Sequence, residues 1–404
     1  MHDTIDAEIQ QHTQQTPSAF IPNHRLGIIG GGQLAKMTAL SALQLGCDVA
    51  VLERNAVSPA AVLATHSLVG DWDAPAELLR LAAHCDVVTL ENEFVDALSL
   101  AALEAAGHKV FPTAKSIALV QDKLIQKQTL AAADLPVPEF RAVANPEAVA
   151  VAARELGLPL LLKARRNAYD GKGNVTVRSL DEIAAAWRKL GGHDGNELFV
   201  EAFCPFVGEL AVIITRGRNG ECATYPLVET VQRDHICHLV RAPAAVSPEI
   251  SATALDIARR AVAAVGAVGS FGVEMFLTAE GKVFVNELAP RVHNSGHYTI
   301  EACECSQFEN HVRAVLGWPL GSTRLVAPAA VMVNLIGVGK GPGRPTGLDA
   351  ALAVPGAHVH IYGKAMSNAG RKMGHVTALG ATMDEAQTKA EHAAREIRFG
   401  NNRP

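Results

Sequence analysis

At 404 residues, with 49% hydrophobic and 19% charged side chains, the sequence describes a globular chain of two or three domains with an ample core. A formal net charge of −5 and 5% aromatic residues supply neither a basic footprint nor stacking platforms, so nucleic acid is not an expected partner. Seven cysteines, an odd number with no CxxC pair, read as reduced thiols of a cytosolic protein, and no apolar run is long enough to span a membrane.

Residues 1–24 are polar and Gln/Thr-rich, without the apolar core of a signal peptide, and read as a loose tail. Arg25–Ile29 is a short apolar strand. Gly30-Gly31-Gly32-Gln33-Leu34-Ala35 follows, then a helix through Leu45 and a second strand, Cys47–Glu53. This start fits G-x-G-x-x-A with an acid, Glu53, about twenty residues on, the pattern of a dinucleotide-binding dehydrogenase. Its physical content is broader, because glycines ahead of a helix let backbone N–H groups approach any phosphate. Asp86–Leu90 is a further strand with Glu91-Asn92-Glu93 at its C-terminal end. Open parallel sheets bind ligands there, and a carboxylate suits an amine or a ribose hydroxyl. The same residues also suit the N-cap of a helix over Val95–Ala106. Lys109–Phe111 reads as the last strand of this segment.

Asp122-Lys123 opens a helix to about Ala133, and Leu135-Pro136-Val137-Pro138 is a rigid connector. A helix over Pro146–Leu156 leads into the apolar strand Leu158–Lys163. A lysine at the end of such a strand calls for an anionic partner. The loop Ala168-Tyr169-Asp170-Gly171-Lys172-Gly173-Asn174 can fold its amides over phosphates, although it also fits an ordinary hairpin turn. Strands follow at Leu198–Phe203, Gly208–Ile214 and Tyr225–Thr230. Glu201 and Glu209 border two of them, either as nucleotide contacts or as plain edge carboxylates. A helix over Thr253–Val265 precedes two β-rich runs, Ser270–Thr278 and one starting at Val283. With a two-residue turn at Glu280-Gly281, Ala279 faces Lys282 and Glu274 faces Glu287. Opposed carboxylates repel unless a cation lies between them, which points to Mg²⁺ on substrate phosphates; the other reading is a solvated acidic face. Directly after comes Arg291-Val292-His293-Asn294-Ser295-Gly296-His297, rich in anion-binding and proton-handling groups.

Lys123, Lys163, the AYDGKGN loop, EAFC over Glu201-Ala202-Phe203-Cys204, Glu209, Glu274 and Asn286-Glu287 come in the order of an ATP-grasp enzyme. GIIGGGQLAKM and NELAPRVHNSGHYT narrow the resemblance to the 5-(carboxyamino)imidazole ribonucleotide synthases of de novo purine biosynthesis, over roughly residues 25 to 395. The resemblance implies a multidomain α/β and α+β chain. A Rossmann-like domain at 25–120 would precede an ATP-grasp domain at 121–322 and a small β-rich domain at 323–404. It implies ATP-dependent carboxylation of 5-aminoimidazole ribonucleotide by bicarbonate through carboxyphosphate, in a cytoplasmic homodimer. A formyl-phosphate ATP-grasp enzyme and, from the N-terminus alone, a nicotinamide-dependent oxidoreductase are the competing readings. Under the resemblance Glu274 and Glu287 hold Mg²⁺, and Arg291, His293, Asn294 and Lys172 serve the chemistry. ATP lies against Lys123, Lys163, the loop 168–174, Glu201–Cys204, Glu209, Gln232 and Asn286-Glu287, with Tyr169–Asn174 as lid. The ribonucleotide meets Gly32, Gln33, Leu34 and Glu93.

Two positions depart from the family pattern. Gln232 stands where the family has a histidine, and strict alternation turns Asn286 away from the Glu287 face. In the C-terminal segment, Ala330–Ile336 is a strand, Gly337–Gly347 a loop, and His358–Tyr362 with Arg371–Leu379 a hairpin before a helix over Asp384–Arg398. Lys364, Arg371 and Lys372 gather at one end of that hairpin, as a solvated basic turn or, by the resemblance, as a pocket for the substrate's 5′-phosphate.

Overall fold

The computed structural model describes residues 24–167 and 173–400. The expected tail therefore lies outside the described residues apart from His24, as do Ala168, Tyr169, Asp170, Gly171 and Lys172 of the glycine-rich loop.

The N-terminal segment is a parallel sheet of β1 (Arg25–Ile29), β2 (Asp48–Glu53), β3 (His66–Val69) and β4 (Val87–Leu90), in the order β3-β2-β1-β4. Every residue of β4 is buried, as a sheet covered on both faces requires. The short strand β3 is absent from the sequence reading because His66-Ser67-Leu68-Val69 carries too little apolar signal. Expected strand Lys109–Phe111 reduces to one bridge, Val88 to Val110. The helix after β4 spans Ala97–Ala105 and is capped by Asp96, whose carboxylate accepts from the Ser99 N–H, so Glu91–Glu93 are not its cap.

A second, antiparallel sheet contains β5 (Phe140–Val143), β6 (Leu160–Ala164), β7 (Asn174–Val177) and β8 (Leu198–Ala202), ordered β5-β8-β6-β7. The helix Pro146–Leu156 packs Val149 and Ala152 against Leu160, Leu162 and Val200 on one face. Alternation places Leu161, Lys163, Phe199 and Glu201 on the other.

The third sheet has nine strands. Those of the central segment are β9 (Phe206–Arg216), β10 (Cys222–Thr224), β11 (Val228–Arg233), β12 (Ile236–Ala242), β13 (Gly269–Thr278) and β14 (Val283–Ala289). From the C-terminal segment come β15 (Ala329–Ile336), β17 (Ala357–Ile361) and β19 (Lys372–Gly380). A two-stranded pairing of β16 (Gly341–Pro342) with β18 (Met366–Ser367) stands beside them. Of the strand expected at Tyr225–Thr230 only the part from Val228 forms, as β11, which runs on to Arg233; Pro226, with no N–H to donate, lies in the gap between it and β10. Strand β12 was not expected, because Ile236-Cys237-His238-Leu239-Val240-Arg241-Ala242 lacks a clean period. It pairs with β15, Leu239 opposite Val333, so one sheet runs from β14 to β17 across the boundary expected at 322/323. The helix expected from Thr253 begins at Pro248, with Ser247 as N-cap accepting from the Ile250 N–H. It packs Ala254, Ile257, Ala258 and Ala261 on Phe271, Val273 and Met275, leaving Glu274 on the opposite face, toward the cleft. Among the described residues no helix is long and apolar enough to cross a membrane.

Candidate active site

The site starts at the β13–β14 hairpin. Its loop is three residues, not the expected two: the Thr278 N–H donates to Lys282 O at 2.9 Å and the Gly281 N–H to Thr278 O at 3.0 Å. Gly281 has φ +77°, the left-handed position such a loop reserves for glycine. A three-residue loop alone would set Glu274 against Asn286. The ladder instead reads Met275 opposite Val285, then Glu274 opposite Glu287, so Asn286 is an extra residue in β14. This bulge restores the carboxylate pair, and it re-aims Asn286, so strict alternation no longer assigns that residue to the far face.

The two carboxyl groups differ in electrostatic state. Burial, then Glu287 and Glu209, push the Glu274 carboxyl up to about 8. Burial acts on Glu287 in the same direction, but Lys123 outweighs it and holds the carboxyl below the usual range. Lys123 forms an ion pair with Glu287. Nε2 of His293 lies 3.4 Å from Glu274 Oε1. The His293 Nδ1 lies 2.8 Å from Ser295 Oγ and 3.3 Å from the Ser295 N–H, which hold the ring beside Glu274. Burial, then Arg291, lower this imidazole to about 3 and keep it neutral. Among the described residues no group of three or more His, Cys, Asp or Glu side chains forms a metal site. Two hard carboxylates of opposite tendency fit a cation that takes its other ligands from phosphate and water, as Mg²⁺ does.

The helix Lys123–Ala132 crosses this hairpin. One of its faces reaches β14 three times: Lys123 to Glu287, Gln126 to both backbone groups of Leu288 (2.8 and 3.1 Å), and Lys127 Nζ to Val285 O at 3.1 Å. Positions i, i+3 and i+4 share a helix face, so the register follows from the helix period. On the second sheet Lys163 Nζ donates to Glu201 Oε1 at 2.8 Å, and Lys127 Nζ pairs with Glu201 Oε2 at 2.7 Å. Glu201 is fully buried and its carboxylate is engaged by two ammonium groups. Gln232 lies opposite a bulge at His238 of β12 and hydrogen-bonds Glu209; burial nevertheless raises the Glu209 carboxyl. Gly173 and Asn174 border β6, with the Gly173 carbonyl accepting from the Ala164 N–H at 2.8 Å and Asn174 opposite Lys163.

The loop after β14 joins all three segments. Arg291 grips Glu93 of the N-terminal segment with a two-bond fork, Nε to Oε2 at 2.5 Å and Nη2 to Oε1 at 3.1 Å. Asn294 exchanges two amide hydrogen bonds with Asn334 on β15, at 2.9 and 2.7 Å. These bonds hold the loop to β15. Leu34, expected at the substrate, is buried with Met37, Val292, Phe308 and Tyr362. In the glycine turn the Gly31 N–H donates to Glu53 Oε2 at 2.8 Å, and Glu91 accepts from the N–H groups of Gly32 (2.5 Å) and Ala35 (2.9 Å). A Cβ on Gly32 would meet the Glu91 carboxylate at 2.5 Å. The glycines thus admit internal carboxylates, and Glu53 is spent on Gly31 instead of facing a ribose. Gln33 is the first residue of the helix that Gly32 caps.

On the C-terminal side Lys364 Nζ donates to Lys372 O at 2.7 Å, and Arg371 Nη1 to Met366 O at 2.7 Å. Burial raises the Glu274 carboxyl and lowers the His293 imidazole; the Lys372 charge weakly opposes the first shift and adds to the second.

Comparison with known proteins bears on this geometry. Three family models match in order: a ribonucleotide synthetase preATP-grasp domain (residues 23–121), an ATP-grasp domain (128–308) and a phosphoribosylaminoimidazole carboxylase C-terminal domain (330–389). The chain is 42% identical over 376 residues to the N5-carboxyaminoimidazole ribonucleotide synthase of Synechococcus elongatus, covering 92% of this chain and 94% of that protein. The chain belongs to the N5-carboxyaminoimidazole ribonucleotide synthase family of ATP-grasp proteins. Two crystal structures of family members from Aspergillus clavatus are also similar. One, in complex with ATP, has a TM-score of 0.85 at 39% identity, covering 93% of this chain and 99% of that one. The other, with ADP and 5-aminoimidazole ribonucleotide, has a TM-score of 0.84 at 38% identity, covering 92% and 98%. The chain spans 65% of the phosphoribosylaminoimidazole carboxylase of Vigna aconitifolia, at 40% identity over 90% of its own length.

Within this N5-carboxyaminoimidazole ribonucleotide synthase fold, the structure brings Lys123, Glu274, Glu287 and His293 of the sequence reading to one place. That reading misses Lys127 and Glu91. The signal for Lys127 was available: it lies four residues after Lys123 in a helix, hence on the same face. Glu91 was named only as one of three candidates, and its partners are backbone groups that no motif displays.

Proposed function

We propose that the cleft between the second and third sheets catalyses ATP-dependent carboxylation of 5-aminoimidazole ribonucleotide by bicarbonate, releasing ADP and phosphate. A bicarbonate oxygen attacks the γ-phosphorus and ADP leaves, giving carboxyphosphate. The exocyclic amine then attacks its carbonyl carbon, phosphate departs, and the amine loses a proton. The observation that carries this reading is Glu274 facing Glu287 across the ladder, with Lys123 and His293 on the two carboxyl groups. Mg²⁺, held by Glu274 and Glu287, would supply charge neutralisation for the β- and γ-phosphates. Lys163, beside the nucleotide, offsets phosphate charge as it moves, and Lys172 is assigned the same task. The family's histidine is replaced by Gln232, which holds Glu209 for the ribose. His293, a neutral ring, orients bicarbonate or carboxyphosphate. Arg291 is the second such group, and its fork to Glu93 ties the reaction centre to the substrate side. Glu93, Gly32 and Gln33 border the ribonucleotide, and Lys364, Arg371 and Lys372 take its phosphate. Residues 25–120, 121–322 and 323–404 then each contribute one part of the substrate's surroundings.

All seven cysteines are free thiols, in keeping with a cytoplasmic enzyme, and we assign it as a homodimer, which sedimentation at micromolar concentration tests. The reaction itself is tested by ADP release. We expect release that requires both the ribonucleotide and bicarbonate; equal release with formate in place of bicarbonate would overturn the reading.

A further inference from the structure

Lys127 is the most deeply placed cation of the molecule's centre. Its side chain is 3% exposed, and it meets Glu201 Oε2 at 2.7 Å and Val285 O at 3.1 Å. Glu201 shares its other oxygen with Lys163 at 2.8 Å. Two ammonium groups and one carboxylate, all buried, leave a surplus of one positive charge. Buried ions are costly unless matched, so this group is incomplete until an anion reaches it. The exits differ. Lys127 has no outlet, whereas Lys163 stands at the end of β6, opposite Asn174 at the edge of the glycine-rich loop. The surplus therefore presents itself at Lys163.

Val285 is the residue before the bulge that sets Glu287 opposite Glu274. Its N–H donates to Pro136 O at 2.8 Å and its carbonyl accepts from Lys127. One ammonium thus touches the carboxylate that sets Lys163 and the strand that sets Glu287. Nothing in the motif order of the sequence marks Lys127, and the proposed chemistry does not use it.

We propose that Lys127 is a positioning residue for phosphoryl transfer: by sharing Glu201 it keeps the Lys163 ammonium available to the nucleotide phosphates, and through Val285 it fixes that ammonium relative to the Glu274–Glu287 pair. This rests on the reading that Lys163 meets the phosphates. Removing the Lys127 charge leaves Glu201 to Lys163 alone. The pair is then neutral, and the ammonium is drawn back from an incoming anion.

The test separates charge from packing. Met matches the length of Lys without its charge, and Arg keeps the charge with a bulkier head. For Lys127→Met we expect kcat/KM for ATP to fall about thirtyfold or more, with the KM for the ribonucleotide changed less than about threefold. Lys127→Arg should retain more activity than Lys127→Met, and adding Glu201→Gln to Lys127→Met should recover part of the loss, because Lys163 is no longer neutralised. A Met variant as active as wild type, or better than the Arg variant, overturns the proposal, as does a double variant whose loss equals the product of the single losses. Should Lys127→Met fail to fold, the ATP constants of Lys127→Arg and of the double variant decide the same point. Lys163→Met is the control: if it leaves the ATP constants unchanged, the underlying assignment of Lys163 fails, whichever way the Lys127 variants behave.

Discussion

Two regions of the molecule each bring two glutamates together, and they do so to opposite effect. In the glycine turn, Glu53 and Glu91 accept from the N–H groups of Gly31, Gly32 and Ala35. In the β13–β14 hairpin, Glu274 and Glu287 face each other and are approached by side chains, His293 and Lys123. Backbone donors cannot leave, so the first pair is structural whatever ligand arrives. An ammonium and an imidazole on longer side chains can move aside, so the second pair is able to exchange them for a metal cation. A motif reading weighs both pairs alike, because it sees the acids and not their partners.

The sharpest way to break this contrast is to neutralise one member of each pair. Glu274→Gln or Glu287→Gln should lower turnover at least about a thousandfold, a loss of several kcal/mol. The melting temperature should hold in Glu274→Gln, where an amide replaces a protonated acid, and fall in Glu287→Gln, which leaves Lys123 without its carboxylate. Near-normal turnover at limiting Mg²⁺ would sink the metal assignment. Glu91→Gln should behave inversely, costing about 1–3 kcal/mol of stability because an amide cannot accept from two N–H groups with one oxygen and a misplaced NH₂. Its ATP constants should stay within a few-fold, and denaturant unfolding beside steady-state kinetics reads both effects.

A comparable loss, confined to one substrate, is expected at the basic hairpin. Arg371→Ala should raise the KM for the ribonucleotide about thirtyfold or more and leave that for ATP within a few-fold, since the phosphate does not react. An unchanged ribonucleotide constant would make this hairpin a solvated turn. Smaller again is the pH effect. The Glu274 carboxyl, pushed up to about 8 by burial and its neighbours, keeps a proton at neutral pH without metal. Its folded value lies above the unfolded one, so the metal-free protein loses stability as pH rises from the ordinary carboxylate range toward 8. Mg²⁺ must displace that proton. Measured Mg²⁺ affinity should therefore climb with pH, at most about tenfold per unit, and level off above about 8, whereas Glu274→Gln should flatten the profile. Titration calorimetry in buffers of different ionisation enthalpy would show the released proton. The smallest effect belongs to Gln232→His, expected to shift the KM for ATP less than about tenfold, because one neutral hydrogen bond is worth about 0.5–1.5 kcal/mol.

Much of the scaffold was legible because its signals are local. The helix Pro146–Leu156 and the strand Arg25–Ile29 were bounded to the residue by Asn145-Pro146 capping and by the glycine turn. Strand β12 was not, since its apolar residues are set by β15, far along the chain. The Glu274–Glu287 pairing was reached through a loop one residue too short and a bulge left out, two offsets that cancel. Glu201 shows the general difficulty. The sequence shows an acid beside an apolar strand and nothing of Lys127 and Lys163, which lie on its two oxygens.

The pairing of β12 with β15 has a consequence for how the polypeptide can be divided. Removing everything after residue 322 would strip β15 from β12 and leave the backbone groups of Leu239–Ala242 bare, next to the buried Val240. A naked strand of that kind recruits other chains, so a truncated protein ending there should come out of cells as aggregate, and the missing piece supplied separately should rescue it only if present while the rest is still folding.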